Sequence, residues 1–491
     1  MRNRAAGVFL HPTSLPSPYG IGDMGESAYS FIDMLAANSQ SFWQMCPLGP
    51  TGFGDSPYQC LSSFAGNAVL ISLKRMMESG LITDGELAAF PHLSDDRVDY
   101  TAVAREKDKL FRAAFGRFKP TDDFRRFVKK HKDWLDDYAL YMALKGASGG
   151  QPWYEWDTAL RMRRREALAD AAKKLEPECA YHRFIQYVFF CQWAALRAYA
   201  NNRGVKIIGD IPYYVAYDSC DAWTAPEVFE FDADGKRERV GGVPPDYFSS
   251  TGQLWGNPLY RWKKMAADGY AWWIHRFQRT LEMVDVVRID HFRGFESYWA
   301  VPAGNDTAIH GTWVKGPGLA FFTALKEKLG ALPVIAEDLG MITDEVRALI
   351  DTTGLPGMKV LQFAFDWNPD NPYLPHNIPE NSVVYTGTHD NNTSVGWYQE
   401  LSENDRGYVR MYLACSDEGF LDYFLRAAYI SPARICIIPL QDIMGLDGTH
   451  RFNTPGTGEG NWRWRFRWDM MQGWMLERMR RYTEMYGRGK K

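Results

Sequence analysis

The sequence has neither a metal-binding cysteine or histidine motif nor a redox cysteine pair. Its seven cysteines form no C-x-x-C pair and its ten histidines form no H-E-x-x-H motif. Cysteines scattered in this way are typical of a protein from a reducing compartment that has no structural disulfide. We therefore expect no transition-metal centre, and no other pattern in the sequence indicates an organic cofactor.

Long apolar runs and a strong charge bias are also missing. No stretch reaches about 18 consecutive apolar residues, and the basic residues Arg2 and Arg4 are followed by too short an apolar segment for a signal peptide. The formal net charge is −4, which offers no basic surface to a polyanion such as nucleic acid. These absences favour a cytoplasmic protein with neither a membrane nor a nucleic-acid partner.

Aromatic residues, by contrast, are abundant. They make up 15% of the 491 residues and include 18 Trp and 26 Tyr. Most of them are expected in a large core, because 46% of the chain is hydrophobic. Such a supply also suits a ligand that stacks on ring faces.

Eight short apolar or β-branched runs recur along the chain and predict its fold. They are residues 6–10, 41–47, 205–210, 284–290, 333–338, 358–365, 382–390 and 433–442. Helical patterns separate most of them, and apolar strands that alternate with helices pair in parallel. Eight such units predict an α/β protein of the (β/α)8 TIM-barrel type.

Two long intervals between these runs predict insertions. Residues 75–202 are rich in Ala, Leu, Lys, Arg and Glu and predict a mostly helical insertion. Residues 241–262 are dense in Gly, Pro and aromatic residues, which favours a long ordered loop that faces a substrate. The predicted organisation is 1–74 for barrel strands one and two, 75–202 for the insertion, and 203–491 for strands three to eight and that loop.

Carboxylates lie at the ends of several of the eight runs. Asp210 ends the third run, Asp290 the fourth, Glu337 and Asp338 the fifth, and Asp390 the seventh. The carboxyl ends of barrel strands converge on one rim, which would gather these groups around one cavity. Any one of them could instead cap the following helix, but four together, with histidines beside two, favour a functional site.

The residue types in this group fit chemistry at a glycosidic bond, where one carboxylate is the nucleophile and another is the general acid/base. Arg288 lies two residues before Asp290, on the same strand face, so their pairing would favour the ionised nucleophile and compensate the buried arginine. Glu337 follows an apolar segment without a basic neighbour, which suits the acid/base. His291 and His389 could bind sugar hydroxyls or only orient the aspartates.

A metal-dependent barrel is the competing interpretation. In such an enzyme strand-end carboxylates hold Mg²⁺ and a lysine or histidine is the base. Lys359 is the only lysine inside a late strand run, and its place near the start of that run predicts a position at the opposite rim. The pattern therefore favours glycoside chemistry.

Several long motifs resemble one family over nearly the whole length of the chain, in the family's order. They are GVFLHPTSLPSPYGIGD (7–23), PLGPTGFGDSPYQ (47–59), GDIPYYVAYDSCDAW (209–223), GGVPPDYFSSTGQLWGNPLYRW (241–262), VVRIDHFRGF (286–295), VIAEDLG (334–340), YTGTHDNNT (385–393) and NTPGTGEGNWRWR (453–465). The family is that of the 4-α-glucanotransferases, also called amylomaltases or disproportionating enzymes, in the shorter bacterial form.

The resemblance implies a (β/α)8 barrel with helical insertions and no separate C-terminal β-sandwich. It implies that Asp290 is the nucleophile, Glu337 the general acid/base, and Asp390 a third carboxylate that distorts and stabilises the sugar. The residues that it places against the glucan are Ser56, Tyr58, Asp210, Trp255, Arg288, His291 and His389.

The implied activity is retaining transfer of α-1,4-glucan segments between maltodextrins. Donors would include starch-derived glucans, and the acceptor would be another glucan or glucose. A retaining reaction predicts roughly 5–5.5 Å between the carboxyl groups of Asp290 and Glu337. The sequence leaves two alternatives open: a mainly hydrolytic retaining α-glucanase and a non-catalytic glucan-binding protein.

The chain departs from the family pattern at two positions near these motifs. Phe53 stands where many relatives have Tyr, which removes a hydroxyl from a possible outer glucan site. Asn392 stands where many have Asp, beside the Asp390 motif. Neither change touches the three carboxylates.

Overall fold

Eight short parallel strands close into a barrel at the centre of the molecule. The computed structural model describes residues 4–245 and 249–489. The strands in these ranges are β1 (Ala5–Phe9), β2 (Phe42–Gln44), β3 (Lys206–Ile211), β4 (Arg239–Val243), β5 (Gln253–Pro258), β6 (Val286–Ile289), β7 (Ser297–Pro302), β8 (Thr312–Lys315), β9 (Val334–Ala336), β10 (Gly357–Val360), β11 (Ser382–Tyr385) and β12 (Ile435–Pro439). The order of the strands around the barrel is β1-β12-β11-β10-β9-β6-β3-β2.

Helices surround the barrel and fill the interval between β2 and β3. Those in the described ranges are α1 (Glu26–Ala37), α2 (Leu73–Glu78), α3 (Asp84–Ala88), α4 (Tyr100–Arg117), α5 (Asp122–Lys130), α6 (Lys132–Ala147), α7 (Thr158–Arg161), α8 (Arg165–Lys174), α9 (Glu176–Asn202), α10 (Cys220–Thr224), α11 (Trp262–Ala267), α12 (Ala271–Met283), α13 (Leu319–Leu329), α14 (Asp344–Thr353), α15 (Ser394–Glu400), α16 (Glu403–Leu413), α17 (Phe420–Ile430), α18 (Leu440–Met444) and α19 (Gly473–Met485). None of the helices described is both long and apolar enough to cross a membrane.

Each of the eight apolar runs supplies one barrel strand, so the predicted (β/α)8 fold is confirmed. Six of these strands are shorter than their runs, because several runs turn into other structure after the last paired position, whereas β1 and β3 are as long as theirs. The run that begins at Met358, for example, continues from β10 into a 3₁₀ helix at Leu361–Phe363. Lys359 is consequently the third of four residues in β10, and the prediction that it lies near the start of its strand is wrong.

The register of β6 and β9 places the ends of both strands at the same height. Ile289 pairs with Ala336, and each is the last residue of its strand. Asp290 and Glu337 follow directly, so the two carboxylates leave the barrel side by side. Apolar β-branched side chains hold this height, since Ile289 is completely buried in the barrel core.

The interval between β2 and β3 contains helices α2 to α9 and no strand. Its longest helix, α9, packs against α6 and α1 and ends beside β3. Two buried glutamines of α9, Gln186 and Gln192, exchange hydrogen bonds with the main chain of Gly66 and Ser72. These bonds tie the helical interval to the loop after β2, while its treatment as a separate subdomain stays a prediction.

A second sheet includes part of the segment that the sequence predicts as a loop. Strands β4, β5, β7 and β8 form a four-stranded antiparallel sheet in the order β5-β4-β7-β8. Part of the segment 241–262, predicted as a long ordered loop, forms strands: it contains the end of β4 and all of β5. Strand β4 gains its order from distant partners, since Gly241 pairs with Ala300 of β7. A Cβ atom on Gly241 would lie 2.6 Å from the Tyr214 ring, so glycine permits this approach. Residues 246–248 of the predicted loop lie outside the described residues.

The segment that follows β12 returns to the opposite end of the barrel. Within residues 440–489 it forms α18, α19 and short 3₁₀ turns, and none of these residues is in a strand. Arg488, which is completely buried, donates hydrogen bonds to the carbonyls of Ala5, Tyr429, Arg434 and Ser431. The chain thereby closes the barrel at the amino ends of β1 and β12, away from the strand-end carboxylates.

Candidate active site

Arg288 lies inside the barrel and joins two of the strand-end carboxylates. Its side chain is 4% exposed, and Nη1 donates to Oδ2 of Asp210 at 2.6 Å while Nη2 lies 3.0 Å from Oδ1 of Asp290. Burial opposes the charge of Arg288, but Asp210 and Asp290 outweigh it and hold the pKa of the guanidinium well above its usual value. The pairing of Arg288 with Asp290 that the strand alternation predicts is thus present.

Tyr58 connects the loop after β2 to this group. Its hydroxyl donates to Oδ2 of Asp210 at 2.8 Å, and its ring stacks on His389 with centroids 5.0 Å apart. Burial raises the pKa of Asp210, Arg288 lowers it and the neighbouring charge of Asp290 raises it further. Oδ1 of Asp210 is buried without a hydrogen-bond partner among the described residues, so this carboxyl retains a free acceptor.

Glu337 is buried, and both of its carboxyl oxygens accept main-chain hydrogen bonds. Oε2 accepts from the N–H of His291 at 2.6 Å and Oε1 from the N–H of Leu339 at 2.7 Å. Burial raises the pKa of Glu337 most strongly, and the negative Asp290 adds to the increase, while Arg288 and the two N–H groups lower it, so that the pKa is about 8. A carboxyl of this kind is protonated at neutral pH and can act as an acid.

The bond from His291 depends on an unusual backbone conformation. His291 follows Asp290 directly and has φ 54° and ψ 49°, in the left-handed region that few non-glycine residues adopt. The next residue, Phe292, donates its N–H to the carbonyl of Glu337 at 3.1 Å. The turn after β6 and the end of β9 are therefore joined through main-chain atoms.

The imidazole of His291 faces the aromatic residues of the site. Its ring lies 4.9 Å from the Trp255 ring in an edge-on arrangement and also contacts Tyr214. Burial lowers the pKa of His291 to about 3, so the ring is neutral. Nε2 is buried and has no hydrogen-bond partner among the described residues, which leaves it able to bind a hydroxyl group.

Asp390 is more exposed than the other carboxylates and lies in the loop after β11. Its side chain is 48% exposed, and Oδ2 lies 3.3 Å from Nε2 of the buried His389. Oδ1 accepts a hydrogen bond from Nδ2 of Asn453 at 2.6 Å. Burial lowers the pKa of His389. Asn453 was not among the site residues deduced from the sequence, although it begins the NTPGTGEGNWRWR motif.

Trp255 and Ser56 differ in how closely they approach the group. Trp255 belongs to β5, where its Nε1 donates to Gln253, and its ring reaches His291. Ser56 lies in the turn after the 3₁₀ helix Phe53–Asp55, and its hydroxyl accepts the N–H of Tyr58. The described contacts therefore place Trp255 in the site and give Ser56 a role in orienting Tyr58.

Asp338 and Lys359 form an ion pair next to the group. Nζ of Lys359 lies 3.1 Å from Oδ2 of Asp338, and Oδ1 accepts the N–H of Met358 at 2.6 Å. The expected position of Lys359 at the opposite rim is thus wrong, since the short strand brings its ammonium group to the residue after Glu337. The lysine is committed to this pair, which does not favour it as a base of the metal-dependent kind.

The fold and the site together define a class of protein. A parallel eight-stranded barrel that carries an arginine-paired aspartate and a buried glutamate at neighbouring strand ends is typical of enzymes that act on glycosidic bonds with two carboxyl groups. The model of one such family, the 4-alpha-glucanotransferases, matches residues 10–471. The chain belongs to the 4-alpha-glucanotransferase family.

Individual relatives agree with this family assignment. A 4-alpha-glucanotransferase of Synechocystis is 50% identical over 99% of this chain and 98% of its own length. One of Thermus thermophilus is 47% identical over 94% of each chain. The structure of an amylomaltase from Streptococcus agalactiae, solved in complex with acarbose, matches with a TM-score of 0.97 and 38% identity over 99% of this chain and 100% of that one.

Proposed function

We propose that this enzyme transfers α-1,4-glucan segments from one maltodextrin to the 4-hydroxyl of another glucan or of glucose. The observation that carries the proposal is the arrangement of Asp290 and Glu337 in register at the ends of β6 and β9, the first paired with Arg288 and the second buried. The names of the relatives and the acarbose complex of the streptococcal amylomaltase support the same substrate class.

The reaction proceeds in two displacements. A carboxylate oxygen of Asp290 forms a bond to the anomeric carbon while the glycosidic C–O bond breaks, and Glu337 gives its proton to the departing oxygen. The 4-hydroxyl of the acceptor then attacks the glucosyl-enzyme, Glu337 takes the hydroxyl proton, and Asp290 leaves as a carboxylate. Two inversions give net retention, which requires the two carboxyl groups to be roughly 5–5.5 Å apart.

The remaining predicted residues hold the sugar at the cleavage point. Asp390 stabilises the positive charge that develops at the anomeric centre, and the free acceptor of Asp210 and the free Nε2 of His291 suit hydrogen bonds to sugar hydroxyls. The other residues that we assign to substrate contacts are Ser56, Tyr58, Trp255, Arg288 and His389.

Transfer requires that a sugar hydroxyl outcompete water at roughly 55 M, and bound acceptors reach much larger effective molarities. Trp255 of β5 in the second sheet packs edge-on against His291 and offers an aromatic face to an acceptor glucose. The same ring covers part of the site and limits the access of water.

We assign maltodextrins, starch-derived glucans and glucose as partners, and a cytoplasmic location.

Incubation with maltotriose separates transfer from hydrolysis. We expect glucose together with maltotetraose, maltopentaose and longer products, because each cleavage passes a segment to another sugar. The measurement is the product ladder by chromatography, combined with an assay of total reducing ends. A rise in reducing ends without longer products would identify a hydrolase, and an unchanged maltotriose pool would identify a binding protein.

The raised pKa of Glu337 predicts an alkaline limit of activity. Because the pKa is about 8, the acid form predominates below that pH, and kcat/KM for maltotriose should fall as pH rises through about 8 and Glu337 ionises. The measurement is the pH profile of kcat/KM. A maltosyl fluoride donor is the control. Because fluoride needs little protonation to leave, kcat/KM for this donor should decrease less at alkaline pH than kcat/KM for maltotriose. A limb centred below about pH 6 would contradict the assignment.

A further inference from the structure

The side chain of Asp390 is held by a part of the chain to which the proposed mechanism gives no role. Asp390 lies in the loop between β11 and α15, yet three of its supporting residues, Asp442, Arg451 and Asn453, come after β12. Asn453 contacts the carboxylate of Asp390, Arg451 contacts its carbonyl, and Asp442 contacts the two ends of the loop that carries it.

Asn453 makes the contact to the carboxylate itself. It is 8% exposed, and its Nδ2 donates to Oδ1 of Asp390 at 2.6 Å. On the other oxygen, Oδ2 lies near Nε2 of His389. Among the described residues, the side-chain hydrogen bond to this carboxylate therefore comes from Asn453, although about half of the Asp390 side chain is exposed. An amide adds no charge, so this bond orients Asp390 without forming an ion pair.

Arg451 closes a ring of hydrogen bonds around the same contact. Its Nη2 donates to the carbonyl of Asp390 at 2.6 Å, and its Nε donates to the carbonyl of Asn453 at 2.7 Å. One guanidinium therefore fixes the main chain of both residues, while the side chains of Asp390 and Asn453 complete the ring. A ring of this kind restricts the relative movement of the two loops.

Asp442 fixes the loop that carries Asp390 at both ends. It is 1% exposed. Oδ2 accepts from the hydroxyls of Thr386 at 2.5 Å and Ser394 at 2.6 Å, and Oδ1 accepts the N–H of Ser394 at 2.7 Å. Thr386 follows β11 and Ser394 begins α15, so a single buried carboxylate spans the nine-residue segment 386–394.

We propose that Asn453 is a positioning residue for Asp390: it orients the carboxylate towards the sugar within a frame that Asp442 and Arg451 hold. The inference rests on the proposed function, because it assigns Asn453 an effect only through Asp390. Charge-assisted hydrogen bonds of this type correspond to about tenfold to a hundredfold in an equilibrium or rate. The effect should appear in kcat, since Asp390 acts on charge that develops in the transition state.

The first test compares Asn453→Ala and Asn453→Leu with the wild-type enzyme. Both remove the donor, and leucine keeps the shape of the side chain without adding a charge beside Asp390. We expect kcat for maltotriose to fall about tenfold to a hundredfold in each, with KM within about twofold and a folded Asn453→Leu protein by thermal unfolding. Wild-type kcat in Asn453→Leu, or a change in KM alone, would overturn the proposal.

Asn461→Ala is the matched control. Asn461 lies in the same segment, and its side chain bonds to Thr457 and to the N–H of Thr454, with no contact to Asp390 among the described hydrogen bonds. We expect its kcat to stay within about twofold of wild type. An equal loss in Asn461→Ala and Asn453→Ala would show that the loop, and not the bond to Asp390, matters, and would overturn the proposal.

A double-mutant cycle with Asp390→Asn isolates the interaction. The affinity for acarbose, measured by calorimetry, needs no turnover and can be compared in all four proteins. We expect Asn453→Ala to weaken binding in the wild-type background and to add no loss in the Asp390→Asn background. Equal losses in both backgrounds would overturn the proposal.

The same proteins separate this inference from the proposed function. An Asp390→Asn enzyme with wild-type turnover would refute the role of Asp390 itself. An inactive Asp390→Asn enzyme beside a fully active Asn453→Leu enzyme would refute only the positioning role of Asn453.

Discussion

Asp290→Asn is expected to abolish transfer between maltodextrins while leaving the fold intact. The amide is a poor nucleophile, so no glucosyl-enzyme forms, and losses of an enzyme nucleophile reach about ten-thousandfold or more. Arg288 remains paired with Asp210, so the substitution does not leave the buried guanidinium without an anionic partner. The measurement is glucose and maltotetraose formation from maltotriose, together with thermal unfolding.

Asp344→Asn is the matched control for Asp290→Asn. Asp344 begins α14, is almost fully exposed and pairs only with Arg347 among the described ion pairs. This variant makes the same chemical change away from the strand ends, and its activity should equal that of the wild type. A rate for Asp290→Asn within tenfold of this control would contradict the nucleophile assignment.

Glu337→Gln is expected to show the second large effect. With maltotriose the turnover should fall by about 10³-fold or more, because glutamine can neither protonate the departing oxygen nor take the proton from the acceptor hydroxyl. A maltosyl fluoride donor bypasses the first transfer, so the variant should release a burst of about one fluoride per enzyme and then slow down, as deglycosylation still needs the base. The measurements are rapid fluoride release and the mass of the trapped glycosyl-enzyme.

The stability of Glu337→Gln supplies a further check. Both oxygens of Glu337 accept main-chain N–H groups, from His291 and Leu339. Glutamine has one oxygen, so its amide N–H₂ faces one of these donors, and we expect a loss of about 1–3 kcal/mol. Asp290→Asn should give no fluoride burst, and a burst there or steady fast release from Glu337→Gln would contradict the division of roles.

Local periodicity was sufficient to predict the barrel and the pairing of Arg288 with Asp290. A buried strand alternates its side chains, so two residues separated by one position share a face whatever surrounds them. Eight apolar runs predicted eight strands because a parallel barrel buries both faces of each strand. These features follow from neighbours in the chain, and the structure agrees with them.

Features that depend on distant contacts were missed. Strand β4 is glycine-rich and gains its order only from β5 and β7, so its sequence resembles a loop. Lys359 was misplaced because the length of β10 is set by its neighbours and not by its own apolar run. Asn453 carries no local sign of its contact with Asp390, which lies 63 residues earlier.

The left-handed turn at His291 bears on whether variants of this enzyme keep the stereochemical outcome of the reaction. Two main-chain N–H groups after Asp290 donate hydrogen bonds to Glu337: His291 to its carboxyl and Phe292 to its carbonyl. These bonds fix the distance between the turn that carries Asp290 and the Glu337 carboxyl. Under the proposed mechanism the separation of the two carboxyl groups is a property of the backbone, largely independent of surrounding side chains. Side chains that line the glucan groove can then be substituted to suit new donors and acceptors without converting a retaining enzyme into an inverting one.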